Sequence, residues 1–454
     1  MYIVILGAGD LGSSIATHLS MENNDITVVD INPSRLEKLQ SRLDIQTVCG
    51  HASYPDILIQ AGISDADVLL AVTNCDEVNM IACQIAYSLF KTPLKIARIR
   101  SSHYTSPQLY ANYHIPIDIR ISPELLVTSA LMRIIEFPGT GEVLDFYHGE
   151  ILLASIEFPP QHPLIDSSFE TLKGQMQDLN ILPVAIYQQK KFNMIKDDFC
   201  IKPHDEVYFL GTHFAMHQWV NRIVSHVTPN YRIIIGGGGH IGSKLAKKLE
   251  NHYQVKIIER HEKVAETLAS ELNHSYVLQG DIADSELLIA ESIHETDIFC
   301  AVTNEDEANI MSCLQAKHLG AKQTIALVNR KTYVPLIEDS PIDHAISPEL
   351  ISAGHILTKI RRGHMLKVHR LQNTSTEMIE LILIDKEEQM NIIGKRLLEI
   401  DMPQGCSIVA VVRQNELMEP TANFKFQKHD HLIILMLDPK SLNELEKIFH
   451  MPFK

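Results

Sequence analysis

The same glycine loop occurs twice in this chain, in the same frame and with the same flanks. Near the start the sequence reads YIVILGAGDLGSSIATHL, with Gly7, Gly9 and Gly12; from Tyr231 it reads YRIIIGGGGHIGSKLAKKL, with Gly237, Gly239 and Gly242. Gly12 falls on Gly242 at an offset of 230 residues. At the same offset Gly50 falls on Gly280, Asp67 on Asp297, and Ala71-Val72-Thr73-Asn74 on Ala301-Val302-Thr303-Asn304. Farther on, ISPEL occurs at Ile121 and at Ile346, PVAIYQQ from Pro183 matches IVAVVRQ from Ile408, and Asp205 matches Asp430, all at an offset of 225. A register held over roughly 200 residues identifies two tandem copies of one unit of about 225 residues, so both copies must share one fold.

Each copy has two parts. The first alternates short apolar runs with helix-like segments: YIVILGAG, SSIATHLS, DITVVD, NPSRLEKLQSRL, IQTVCGH, YPDILIQAG, ADVLLAVT, DEVNMIACQIAYSLF and LKIARIRS. Strand and helix in alternation predict a parallel, doubly wound sheet of the Rossmann type covered on both faces. SPELLVTSALMRIIEF then predicts a helix with Ser122 as N-cap and Pro123 at its first position. The second part, with EVLDFYHGEILLASIEF, LPVAIYQQKKFNMI and DEVYFLGT around SFETLKGQM, reads as a small α+β subdomain. The expected domains are 1–124 and 230–348 for the two nucleotide-type domains, and 142–226 and 366–454 for the two subdomains.

The loop's chemistry is backbone access. Glycines allow a tight turn and let a pyrophosphate approach the helix N-terminus, where free N–H groups and the macrodipole favour anions. The acid expected downstream is present in both copies: DITVVD ends in Asp30, 18 residues after Gly12, and QVKIIE ends in Glu259. A carboxylate there binds a ribose diol and repels a 2′-phosphate, which favours NAD over NADP. The expected nucleotide-contacting residues of the first copy are therefore Gly7, Ala8, Gly9, Asp10, Leu11, Gly12 and Asp30, with Gly50, His51, Thr73 and Asn74 at neighbouring strand ends. Those of the second are Gly237, Gly238, Gly239, His240, Ile241, Gly242 and Glu259, with Gly280, Asp281, Thr303 and Asn304. The competing reading of each loop is a tight βα turn that holds no nucleotide. The copies differ after the next strand, where Arg98 and Arg100 face Leu327 and Asn329. Arginine suits a polyphosphate, so Arg98 joins the first set.

A net charge of −16 argues against nucleic acid as a partner. No apolar run approaches the ~20 residues of a membrane span, so no direct membrane insertion is expected. Met1 leads straight into a strand, with no basic segment ahead of an apolar one, so no signal-like leader is expected. The seven cysteines form no C-x-x-C pair, which fits a reducing compartment. HDH at His429–His431 suggests a metal, but its repeat partner, HDE at His204–Glu206, does not preserve the set. HMLKVH (His364–His369) lacks a carboxylate partner.

The two glycine loops with Asp30 and Glu259, AVTNCDEVNMIACQIAYSLF, IARIRS, AVTNEDEANIMS and both ISPEL segments resemble the TrkA family. These are the peripheral NAD-binding subunits of bacterial Trk potassium uptake systems, built of paired RCK (regulator of K⁺ conductance) domains. The resemblance covers essentially the whole chain. It implies a Rossmann-like RCK N-terminal domain followed by an RCK C-terminal subdomain, twice over. It further implies a homo-oligomeric ring, cytoplasmic and peripheral on the inner membrane, docked under an integral-membrane potassium transporter of the Trk type. NAD(H) would bind the crevices, with ATP or ADP as further candidate ligands, and would gate potassium flux without catalysis. Asp10 inside the first glycine loop departs from the usual pattern and would weaken polyphosphate binding if it pointed inward. Two other readings remain at this point: an NAD-dependent dehydrogenase of unfamiliar type, for which no acid–base constellation is visible, and a redox sensor using Cys75 or Cys300.

Overall fold

The computed structural model describes residues 1–21, 24–104, 106–111, 114–176, 178–195, 199–223, 231–330, 332–333, 336–337, 340–360, 365–371, 374–384, 392–438 and 441–449. Two compact units emerge, and each combines pieces of both copies: 1–131 with 230–360, and 132–229 with 361–454.

The first unit holds the two parallel sheets. In the first copy the elements are β1 (Tyr2–Leu6), α1 (Asp10–Ser20), β2 (Asp25–Asp30), α2 (Pro33–Gln40), β3 (Gln46–Cys49), α3 (Pro55–Gln60), β4 (Val68–Ala71), α4 (Asp76–Ile85), β5 (Leu94–Arg98) and β6 (Ile119–Ile121). A helix α5 (Pro123–Glu136) follows. The sheet order is β3-β2-β1-β4-β5-β6, with every pairing parallel. The order reverses between β1 and β4, so their carboxyl ends open a crevice at that point. β1, β2 and β4 are apolar runs because helices cover both faces of the sheet. One face packs with Ile3, Ile5, Val28 and Leu70 and the other with Val4, Leu6, Val29 and Leu69.

Next along the chain come the elements of the first subdomain and then the second parallel sheet. The first subdomain contributes β7 (Val143–Phe146), β8 (Ile151–Glu157), α6 (Phe169–Met176), β9 (Leu182–Gln188), β10 (Lys191–Met194), β11 (Glu206–Thr212) and α7 (His213–Ile223). The second parallel domain is β12 (Arg232–Gly236), α8 (His240–Leu249), β13 (Gln254–Glu259), α9 (Glu262–Glu271), β14 (Tyr276–Gln279), α10 (Ser285–Ala290), β15 (Ile298–Ala301), α11 (Asp306–His318), β16 (Gln323–Leu327) and β17 (His344–Ile346). Its order, β14-β13-β12-β15-β16-β17, repeats that of the first sheet. The helix after it, α12 (Pro348–Ile360), packs against the other copy: Ala353, Ile356, Leu357 and Ile360 join the core around Leu11, Ile15 and Leu19 of α1. Their spacing of three, one and three residues is one helical stripe. The first parallel domain therefore completes its core with a helix supplied some 340 residues away.

The second unit holds two antiparallel sheets, ordered β10-β9-β11-β8-β7 in the first subdomain. The second is built from β18 (Met365–Arg370), β19 (Glu377–Ile382), β20 (Cys406–Arg413), β21 (Glu416–Met418), β22 (His431–Met436) and α13 (Leu442–Ile448), ordered β18-β19-β22-β20-β21. The central strands are apolar on both faces. In β22, Leu432, Ile434 and Met436 face their own subdomain's core, while Ile433 and Leu435 face a core shared with Leu153, Tyr208 and Leu210 of the first subdomain. The seam is rimmed by polar contacts: the Tyr147 N–H donates to Glu380 Oε2 (3.1 Å), Lys173 pairs with Glu419 (2.7 Å), and Lys367 pairs with Asp145.

His344 in the first unit and His369 in the second are half-buried, and the loss of surrounding water pushes each down to about 4, so both are neutral at pH 7. An unfolded histidine takes up its proton near 6.5, so stability falls as pH drops from about 6.5 to 4, by about 1.4 kcal/mol per pH unit for each ring. Thermal unfolding from pH 7 to pH 4.5 is expected to show this fall, and His369→Gln to flatten it; an identical slope in the variant contradicts the assignment.

Among the described residues, no helix is long and apolar enough to cross a membrane.

Candidate functional site

The first glycine loop closes as its sequence requires. Gly7 has φ +107°, and its N–H donates to Val29 O (2.7 Å). A Cβ on Gly12 would lie 1.9 Å from Gly7 O, so only glycine lets α1 settle onto the turn. Gly9 is the N-cap of α1, and no side chain caps it. The Ser13 N–H closes on Gly9 O (2.8 Å), which leaves the earlier N–H groups of the first turn open over the crevice. Leu11 is buried, so it offers the crevice only its backbone, whereas Asp10 is exposed in the first turn. In the second copy Gly237 has φ +108°, a Cβ on Gly242 would lie the same 1.9 Å from Gly237 O, Gly239 is an N-cap with no side-chain cap, and exposed His240 stands where Asp10 does.

The acids sit against these loops. Asp30 is 8% exposed; its Oδ2 accepts the Ala8 N–H (2.7 Å) and its Oδ1 the Asn32 N–H (2.8 Å). Glu259 repeats the pair with Gly238 N–H and His261 N–H, both at 2.7 Å. Glutamate is one carbon longer, and the second loop makes room for it. A Cβ on Gly238 would come within 3.1 Å of Glu259 Oε2 and 2.3 Å of Leu268, which accounts for the fourth glycine of GGGG. Each carboxylate oxygen keeps a lone pair for a ribose hydroxyl.

The flanking residues divide into engaged and open groups. The Gly50 N–H donates to Asp30 O and the Gly280 N–H to Glu259 O, both at 3.0 Å, which ties these turns to the acids. His51 pairs with Ser53 Oγ (3.0 Å) and packs on Tyr54, and Asp281 Oδ1 accepts the Ala283 N–H (2.9 Å). The Thr73 hydroxyl donates to Asn79 Oδ1 (2.6 Å) and the Thr303 hydroxyl to Asn309 Oδ1 (2.7 Å), so both are spent within the loop. Asn74 and Asn304 are exposed beside them.

The strand-end arginines part company. Arg100 pairs with Glu124 (3.3 Å) and is largely exposed. Among the described residues, the buried Nε of Arg98 has no hydrogen-bond partner. Burial, aided by Arg100, pushes it down to about 10, against the pull of Glu124, Asp76 and Asp10, and it stays charged at neutral pH. Leu327 is buried, and the Asn329 amide donates to Asp306 (2.9 Å), so the second crevice receives no cation from these positions.

Four buried residues of the site were not legible as such. Asn79 and Asn309 staple the loop after β4 or β15 to the end of β5 or β16, and Asp76 accepts the N–H groups of Arg100 (2.9 Å) and Ser101 (2.8 Å). Asp306 does the same for Asn329 and Arg330, both at 2.8 Å. The signal available was the repeat itself, DEVN over DEAN.

Other candidates resolve into packing. Asp430 is clamped by Arg413 (2.7 and 2.8 Å), and His431 pairs with Glu380 (2.9 Å). His364 lies outside the described residues, and His369 bonds Asp145 O (3.2 Å). No metal-binding group occurs among the described residues. The redox reading loses Cys300, which is wholly buried and whose thiol burial pushes up, away from the thiolate.

Comparison with known proteins follows the same lines. Residues 3–123 and 233–348 match the TrkA-N domain, and residues 387–450 the TrkA-C domain. The chain is 40% identical over 452 residues to a Trk system potassium uptake protein TrkA of Halomonas elongata, covering 99% of each. It is 39% identical over 451 residues to the protein of that name from Vibrio alginolyticus, covering 99% of this chain and 98% of the other. In fold it is similar to the GsuK RCK domain, with a TM-score of 0.62 at 16% identity over 99% of this chain and 95% of that one. A GsuK channel bound to NAD gives a TM-score of 0.61 at 16% identity, covering 99% of this chain and 79% of that one.

Proposed function

This chain belongs to the TrkA family of Trk-system potassium uptake proteins, and on that premise we propose that each of its two crevices binds NAD(H) or an adenine nucleotide and that occupancy gates potassium flux. The observation that carries the reading is the doubled constellation: an uncapped helix N-terminus, a positive-φ glycine turn and a buried acid facing it, in both copies. Open N–H groups receive the pyrophosphate, and Asp30 or Glu259 receives the ribose hydroxyls. No proton or hydride need move. A ligand that prefers one of two conformations shifts their populations by its difference in affinity, which is all that gating requires. The family's potassium uptake role supports this regulator over the dehydrogenase alternative. The setting that fits is a homo-oligomeric ring on the cytoplasmic face of the membrane, under an integral-membrane Trk-type subunit.

The two sites differ toward a terminal phosphate. Arg98 is charged and its Nε has no partner among the described residues, while Leu327 is apolar. ATP is therefore expected to prefer the first crevice over the second more strongly than ADP does. Arg98→Ala is expected to cut the ATP-to-ADP affinity ratio there by about 1–3 kcal/mol, or roughly 5- to 150-fold. Because α12 completes the core of the first domain, the test uses the full chain with Gly242→Ala silencing the second crevice, titrated calorimetrically with both nucleotides. A ratio unchanged by Arg98→Ala makes the arginine structural.

A further inference from the structure

We infer that Asn79 and Asn309 are positioning residues that set two walls of their crevices at once, and that nucleotide affinity at each site depends on the donor half of that single amide; this rests on the nucleotide reading above. Asn79 has no exposed surface. Its Oδ1 accepts the Thr73 N–H (3.0 Å) and hydroxyl (2.6 Å), and its Nδ2 donates to Thr73 O (3.2 Å) and Arg98 O (2.9 Å). Two acceptor and two donor contacts use the full capacity of one amide. Asn309 repeats all four, at 3.0, 2.7, 3.0 and 2.9 Å, with Thr303 and Leu327 O.

The consequence reaches the phosphate turn. The Thr73 backbone lies 3.2 Å from where a Cβ of Gly7 would stand, and the Thr303 backbone N 3.1 Å from that of Gly237. The threonine loop thus backs the glycine turn, and a shift in one displaces the other. The amide also fixes the carbonyl of the residue that distinguishes the copies, arginine in one and leucine in the other. The same four bonds serve both, so the amide holds backbone position regardless of the side chain carried there.

Asn79→Asp isolates the donor half. An ionised carboxylate keeps the contacts to the Thr73 N–H and hydroxyl but presents charge to the carbonyls of Thr73 and Arg98. A protonated one restores a donor, and burial shifts a carboxyl group toward that form as pH falls, against the Thr73 N–H and hydroxyl, which favour the ionised form. The charged groups at this end are the Arg98 guanidinium and, acting on it, Arg100, Glu124, Asp76 and Asp10, and the unmodified chain measured at the same pH values accounts for them.

The experiment titrates the full chain with NADH by fluorescence and with ADP by calorimetry, at pH 8 and pH 6. The unmodified chain is expected to show two sites at both values. Asn79→Asp is expected to weaken one of them at least about tenfold at pH 8 and to recover most of that loss at pH 6. Should this variant not fold, as judged by circular dichroism, Asn309→Asp carries the same test at the other crevice, where Leu327 stands in place of Arg98. Two unweakened sites at pH 8, or a loss that is equal at both pH values, overturn the inference alone. An unmodified chain that binds neither ligand overturns the nucleotide reading and this inference with it.

Discussion

Gly12→Ala is expected to abolish nucleotide binding at the first crevice while leaving the second intact. The added carbon would lie 1.9 Å from Gly7 O, 3.1 Å from Gly7 C and 3.4 Å from Val72 Cγ2. Gly7 cannot retreat, because its N–H is held by Val29 O (2.7 Å) and its other side abuts the Thr73 backbone. The strain must be relieved by lifting α1 from the sheet, which carries the open N–H groups out of place. Overpacking of this kind costs about 1–3 kcal/mol or more in stability, and α1 also seats α12, so the melting temperature should fall as well. Gly242→Ala should do the same at the second crevice, where the clash with Gly237 O is again 1.9 Å. NADH titration of each full-length variant reads the result as one site in place of two. Two sites of unchanged affinity would place the ligand elsewhere.

Asp30→Ala is expected to weaken NADH at the first site by about ten- to a hundredfold, the worth of a charged hydrogen bond of roughly 1.5–3 kcal/mol. The carboxylate has two duties. It offers lone pairs to the ribose, and it ties the Ala8 N–H of the glycine loop to the Asn32 N–H of the following turn. Its loss therefore also loosens the loop. Calorimetry in a Glu259→Ala background isolates the first site, and unchanged affinity there removes Asp30 from it.

The two glycine loops, both acids and the parallel sheets were legible because their chemistry is local and the repeat states it twice. What stayed hidden depends on contacts distant in sequence. Asn79 and Asp76 look like ordinary first-turn residues of a helix, yet Asn79 also reaches Arg98 O and Asp76 holds the Arg100 and Ser101 N–H groups, 19 to 25 residues away at the end of β5. The repeat shows that the copies are alike but not which surfaces they bury against each other. The stripe at Ala353, Ile356, Leu357 and Ile360 announces a buried face; that α1 of the other copy covers it follows only from the fold. Arg98 and Arg100 read alike as strand-end arginines. Burial separates them, leaving one paired with Glu124 and the other with a buried Nε that has no partner among the described residues.

That nucleotide occupancy gates potassium flux is tested most directly in vesicles holding the membrane subunit that co-purifies with this chain, with potassium uptake measured against NADH, ATP and ADP. Uptake is expected to change with nucleotide when the unmodified chain is present. That response should disappear when the chain carries both Gly12→Ala and Gly242→Ala, although the variant still co-purifies with the membrane subunit. Uptake that ignores nucleotide with the unmodified chain, or that responds equally with the double variant, would contradict gating through these crevices.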